Sequence, residues 1–157
     1  MKKIFFIQFM IITTLFSDVH KELNVVIDDK SHLMWQDNYE DSNVIVAEGE
    51  VAPIKYSPWN EAIAYCSNLE LDGYSDWRLP NLKELRSLIL LDKEVYPDTF
   101  ISPYFEFVAL SADESYWTST PRENFSGLAM AVNFYTGTEH IGIKVTKYYS
   151  RCVRNTQ

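Results

Sequence analysis

Cys66 and Cys152 are the only cysteines of this 157-residue chain, and the chain begins like an exported protein. Met1-Lys2-Lys3 gives a basic start, and Ile4 to Phe16 runs apolar except for Gln8, Thr13 and Thr14. Ser17 then supplies a small residue for cleavage, which completes the pattern of a secretory signal peptide. The apolar run is about 13 residues, short of the ~20 that a membrane-spanning helix needs. No cysteine follows it, so a lipoprotein anchor is not indicated. The expected organisation is a signal peptide at 1–17 and one mature domain at 18–157, periplasmic, secreted or at the cell surface, with no membrane span after cleavage. In such a compartment an even number of cysteines reads as a disulfide. Counting both ends, a Cys66–Cys152 bridge closes 87 residues, worth roughly 4.6 kcal/mol by loop entropy. Two rivals stand beside it. One is a thiol nucleophile served by His20, His32 or His140. The other is a metal site, for which no Cys-x-x-Cys or His-x-x-x-His spacing exists.

At 18.3 kDa there is room for one domain. Four Trp, ten Tyr and nine Phe make a disordered or low-complexity chain untenable. Charge excludes another class. The 14 basic residues face 22 acidic ones, a net charge of −8. Cleavage after Ser17 removes Lys2 and Lys3, leaving 12 against 22 and a charge of −10. A nucleic-acid partner needs clustered cations and is not expected.

Leu23 to Asp28 and Ser31 to Gln36 read as strands around an Asp28-Asp29-Lys30 turn. Asp37 to Asn43 is an acidic loop, Val44 to Val46 a short strand, and Pro53 to Ser57 a connector. Ser57 is expected to cap a first helix with Pro58 in its first turn. Trp59, Ala62, Ile63, Cys66 and Leu69 then share one helical face, and Leu71 to Tyr74 ends the element. Asn81 caps a second helix, and Glu84 three residues on completes a capping box. Leu82, Leu85, Leu88 and Ile89 are its apolar stripe. Asp92 to Ala112 is an irregular but packed excursion. Tyr116 to Thr120, Leu128 to Tyr135, Ile141 to Val145 and Tyr148 to Val153 read as a strand-rich C-terminal meander, with Thr136-Gly137 as a turn. Segregated strands and helices indicate α+β with an antiparallel sheet.

Four segments stand in a recognisable order: Leu33-Met34-Trp35-Gln36-Asp37; Gly73-Tyr74-Ser75-Asp76-Trp77-Arg78-Leu79-Pro80-Asn81 with Glu84-Leu85; Tyr116-Trp117-Thr118-Ser119-Thr120; and Arg151-Cys152-Val153-Arg154. Together they resemble the Lcl C-terminal domain family, a bacterial, mostly exported domain of poorly defined function. The Asp-Trp-Arg-Leu-Pro piece is the most specific. The resemblance implies a fold like that of C-type lectins and sulfatase-modifying factors: two helices packed on a small antiparallel sheet, with a long irregular loop region. In those folds a helix cysteine pairs with one in a late strand, the positions of Cys66 and Cys152. The collagen-like adhesin after which the family is named is associated with glycosaminoglycan binding and trimerisation. This chain has no collagen repeats and is acidic.

Asp76, Trp77 and Arg78 together suit sugar recognition, but at a helix start they also suit a structural role: Trp77 in the core, the charges satisfying backbone or each other. Trp117 is expected inside its strand and Thr118 outside. Asp37, Asn38, Glu40, Asp41 and Asn43 are oxygen donors of the kind calcium uses. They lack EF-hand spacing, and the Glu-Pro-Asn and Trp-Asn-Asp signatures of calcium-dependent lectins are absent, so a solvated loop is the default. The resemblance places a binding surface in the irregular region, and Tyr104, Phe105, Arg122 and Asn124 are its candidate ligand-binding residues. No nucleophile elbow, zincin helix or phosphate loop is present, so neither catalysis nor a cofactor is expected. The expectation is a non-catalytic recognition module for a glycan or envelope protein. The alternative is a structural or interaction domain without a small-ligand site, and a third reading is a hydrolase or oxidase that kept the fold and rebuilt its site.

Overall fold

The computed structural model of the chain describes residues 19–38, 45–47, 50–51, 55–90, 100–106, 108–109 and 111–156. The expected signal peptide, most of the acidic loop and the first part of the irregular excursion lie outside the described residues.

In chain order the elements are β1 (Val19–Glu22), β2 (Val25–Asp28), β3 (Leu33–Gln36), β4 (Ile45–Ala47), β5 (Glu50–Val51), β6 (Tyr56–Ser57), α1 (Trp59–Ser67), α2 (Leu82–Ser87), β7 (Tyr116–Pro121), β8 (Leu128–Asn133), β9 (Thr138–Ile143), β10 (Tyr148–Tyr149) and β11 (Val153–Asn155). The fold is α+β and mostly strands. They do not form one sheet. A four-stranded sheet runs β1-β2-β3-β11, a five-stranded sheet runs β6-β10-β7-β8-β9, and β4-β5 stands apart. All pairings are antiparallel except β10 with β7, which is parallel.

The segment read as one C-terminal strand is therefore two. Tyr148 and Tyr149 pair with Ser57 and Tyr56. After Ser150-Arg151-Cys152 the chain enters the other sheet, where Val153 faces Trp35. The first sheet is buried on both faces. Val26, Leu33 and Trp35 point into a cluster with Leu85, Leu88, Tyr116 and Phe134. Val25, Ile27 and Met34 point the other way, into a cluster with Ala62, Trp77, Trp117 and both cysteines. A sheet covered on both sides reads as continuous apolar runs rather than alternation, as Val25-Val26-Ile27 does. Leu23, expected in this strand, lies in the β1–β2 turn with 86% of its surface exposed.

Pro58, not Ser57, holds the N-cap position of α1, with no side-chain cap. Ser57 is occupied by its pairing with Tyr148, and its carbonyl accepts from Trp117 Nε1 at 3.0 Å. The Lys144 carbonyl accepts the first helical N–H, from Trp59, at 3.0 Å. At α2 the capping box is complete: Glu84 N donates to Asn81 Oδ1 at 3.0 Å, and Asn81 N donates to Glu84 Oε2 at 2.8 Å. Ile89 falls beyond this helix, in a bridge with Ile101.

Cys66 and Cys152 form a disulfide, Cα–Cα 5.4 Å, and both are fully buried. It joins α1 to the chain just before β11, so one covalent link spans the point where the polypeptide changes sheets.

Candidate functional site

Leu71-Asp72-Gly73-Tyr74 closes as a two-residue reverse turn. Leu71 N donates to Tyr74 O and Tyr74 N to Leu71 O, both at 3.0 Å. Asp72 and Gly73 lie at φ 51° and 81°, the left-handed region that Asp and Gly tolerate best. The Asp72 carboxylate accepts from Asn24 Nδ2 at 2.8 Å, fixing the turn to the β1–β2 connection.

Beyond the turn, the most specific motif of the sequence divides its residues between inside and outside. Trp77 is buried and donates its Nε1–H to Tyr74 O at 3.2 Å. Asp76 faces out and receives Arg154 in a forked pair: Nε to Oδ1 at 2.7 Å, Nη2 to Oδ2 at 3.2 Å. The Tyr74 ring covers that guanidinium, its centroid 3.7 Å from Cζ. Arg78 turns the other way and grips both oxygens of Glu84 at 2.7 Å, with Asn155 Oδ1 at 3.2 Å from Nη2. Its backbone exchanges two 2.9 Å hydrogen bonds with Val153. Two ion pairs, one on each side of Trp77, thus clamp the motif to β11 and to α2.

These pairings set the carboxyl acidities. The Arg154 fork holds Asp76 below its ordinary value of 3.8. At Glu84 burial pushes upward, but the bonds from Arg78 and Asn81 N outweigh it and the net direction is down.

The clamped motif borders open space. Tyr74, Ser75, Asp76, Arg154 and Thr156 line a hollow of about 470 Å³. Glu70, Gly73, Tyr74 and Ser75 line a second, of about 450 Å³. Tyr74 and Ser75 are common to both, and Tyr74 keeps 40% of its surface exposed. Across β11, a groove of about 720 Å³ is lined by Ser31, His32, Lys83, Ser87, Asn155 and Thr156. Thr156, whose N–H donates to His32 O at 2.9 Å, touches both sides. An exposed ring, hydroxyls and a carboxylate oriented by an arginine can stack on and hydrogen-bond a polar ligand.

The four residues expected on the long-loop face do not come together. Phe105 is buried, its ring 4.3 Å from the Arg151 guanidinium, and offers no face to a ligand. Tyr104 is 38% exposed. Their loop packs at the start of β7, where Ala109 N donates to the Tyr116 hydroxyl at 2.7 Å. Arg122 and Asn124 lie in the turn after the end of β7, with Asn124 at φ 62°. The six-residue strand β7 runs between the two segments.

Trp117 is fully buried, but so is Thr118, expected outside, which donates to Met130 O at 2.8 Å. The β7–β8 register shifts between Trp117 and Pro121, and this breaks the alternation. Asp37 is not solvated either. It is fully buried, bonded to Lys21, Arg151 Nη1 (3.0 Å) and Glu106 N (2.9 Å). The other donors of the acidic loop, Glu40, Asp41 and Asn43, lie outside the described residues, whereas Asn38 accepts from Gln36 Nε2 at 3.0 Å. Among the described residues no group of three or more His, Cys, Asp or Glu is arranged to hold a metal. Among them, too, no helix is long and apolar enough to cross a membrane.

Sequence reasoning missed Glu70, Tyr74, Ser75 and Arg154 as site residues. The Asp72-Gly73 pair, a strong turn signal before an aromatic, marks Tyr74 as exposed. Arg154 carries no local sign of its partner 78 residues earlier.

Fold and motif together define a two-sheet α+β domain, stapled by one buried disulfide, whose most specific segment borders an open surface. The model of the Lcl C-terminal domain matches residues 24–154, and the chain belongs to that family. A comparison with curated proteins found no match.

Proposed function

We propose that this domain is an exported, non-catalytic recognition module of the C-type-lectin-like kind, which binds a carbohydrate or a surface partner through the Tyr74 face. The observation that carries this reading is the exposed Tyr74 ring, stacked on Arg154 and bordered by Ser75 and Asp76 at two adjoining hollows. Sugar recognition needs a flat apolar face next to oriented polar groups. The ion pair behind the ring holds both in place before any ligand arrives. Export is supported by the N-terminal pattern and by a disulfide, which persists in oxidising compartments. The test is a glycan array with the mature domain and its Tyr74→Ala variant. Binding that the variant loses, at unchanged melting temperature, is the expected result. Silence across neutral, acidic and amino glycans overturns the reading.

A second reading, a protein-interaction domain of the envelope, draws on a different surface. Ile141 and Ile143 on the edge strand β9 expose 42% and 59% of their surface, and Val145 just beyond exposes 80%. Apolar edges of this kind favour protein contact. Stoichiometric co-purification of an envelope protein, lost on Ile143→Lys, would favour it.

A further inference from the structure

We propose that the ligand of the Tyr74 hollows is cationic, an amine-bearing sugar; this deepens the recognition reading of that site and rests on it. Charge at the site points to a cation. Arg154 is the only cation among the described residues lining either hollow. Its guanidinium is forked onto Asp76, covered by Tyr74, and its side chain is 4% exposed, with Nη1 directed to Met34 Sδ at 3.8 Å. Its charge is cancelled and turned inward. Glu70 on the second hollow is exposed and makes no ion pair among the described residues. Asp72, exposed in the adjoining turn, is partnered among the described residues by the neutral amide of Asn24. The surface beside the ring is therefore negative, on a chain whose net charge is −8.

A sulfated or carboxylated polymer approaches such a surface against repulsion. A protonated amino sugar gains twice: its CH face can lie on the Tyr74 ring, and its ammonium can reach the Glu70 carboxylate. An aromatic next to an uncompensated carboxylate is a selective arrangement, because the same carboxylate penalises an anion.

The experiment is a calorimetric titration of the mature domain at pH 6 with three probes: a glucosamine oligomer, the N-acetylated oligomer of equal length, and a sulfated oligosaccharide. The expected order is glucosamine first, about tenfold tighter than its acetylated counterpart, with the sulfated probe weakest. Raising salt from 50 to 500 mM should weaken glucosamine binding and leave the acetylated oligomer unaffected. Glu70→Gln should cost about threefold for glucosamine alone, whereas Glu123→Gln in the β7–β8 turn, which lines neither hollow, should change nothing. Equal affinities for the glucosamine oligomer and its N-acetylated counterpart, or a sulfated preference, overturn the cationic assignment and leave the recognition reading standing. No binding to any probe, together with a silent array, removes both.

Discussion

Arg151 shows how a single charged residue can hold a small two-sheet domain together. It is fully buried between Phe105 and the β3 terminus and donates to Gln36 O at 2.7 Å and to Asp37 Oδ1 at 3.0 Å. Asp37 in turn holds Lys21 of β1 and the amide of Glu106 in the long loop. Removing the arginine leaves that carboxylate buried beside Lys21 without its guanidinium partner. Arg151→Met is expected to cost about 3–5 kcal/mol in urea unfolding, and Arg151→Met with Asp37→Leu to cost less than the single change. Burial raises the Asp37 pKa, but the Arg151 charge and the bonds from Lys21 and Glu106 N outweigh it, so it lies below 3.8. Glu84 likewise lies below 4.5. A carboxylate with a depressed folded pKa binds its proton more readily in the unfolded chain. Its contribution is present in full above its unfolded value and is lost as pH falls through the folded one. Urea midpoints should therefore be flat near pH 6 and decline below about pH 4.5. Asp37→Asn should lower the plateau and flatten the decline, and an unchanged slope would show that Asp37 is not the proton-linked group.

At the scale of elements, cooperation between local and distant signals decides what can be read from the chain. The α2 capping box was legible because Asn81, Glu84 and the backbone they bond lie within four residues. Asn81→Ala should cost about 1 kcal/mol in thermal unfolding. Ser57 looked equally suited to cap α1. Its backbone was claimed instead by Tyr148, some ninety residues later, and no local pattern could reveal that. The four residues expected on one binding face lie apart for the same reason. Tyr104 and Arg122 both occupy irregular segments, yet those segments hang from opposite ends of β7. Gly142 is a further case, in the regular β8–β9 pairing. A Cβ at this position would stand 2.5 Å from Trp117 Cη2 and 2.7 Å from Tyr148 Cε2. Two packed rings, themselves 4.5 Å apart, cannot both withdraw. Gly142→Ala is expected to cost about 1–3 kcal/mol, a loss that β propensity alone would predict with the opposite sign.

For the whole molecule, the disulfide and the sheet change have to be considered together. The two cysteines were legible as a pair from their number and the export pattern, but their position within the architecture was not. In the folded chain Cys152 lies between β10 of one sheet and β11 of the other, and Cys66 belongs to the helix whose buried face includes Ala62. Sequence patterning counted strands without showing that the last two belong to different sheets, because the turn-free run from Tyr148 to Val153 hides the change. Cutting the link should therefore do more than loosen one loop. The loop-entropy contribution is roughly 4.6 kcal/mol for 87 residues, comparable to the whole stability of a domain this size. Both sulfurs are fully buried, so a reductant under native conditions must wait for local opening. Dithiothreitol alone should act slowly, and dithiothreitol in sub-denaturing urea quickly. Reduced protein, or Cys66→Ala with Cys152→Ala, should then unfold at a much lower urea midpoint. Hydrogen exchange should show amides of β11 and α1 losing protection first, while the β8–β9 pair, which the bridge does not touch, keeps it longest. Uniform loss across both sheets would mean that they unfold as a single cooperative unit with the staple acting on the unfolded chain alone.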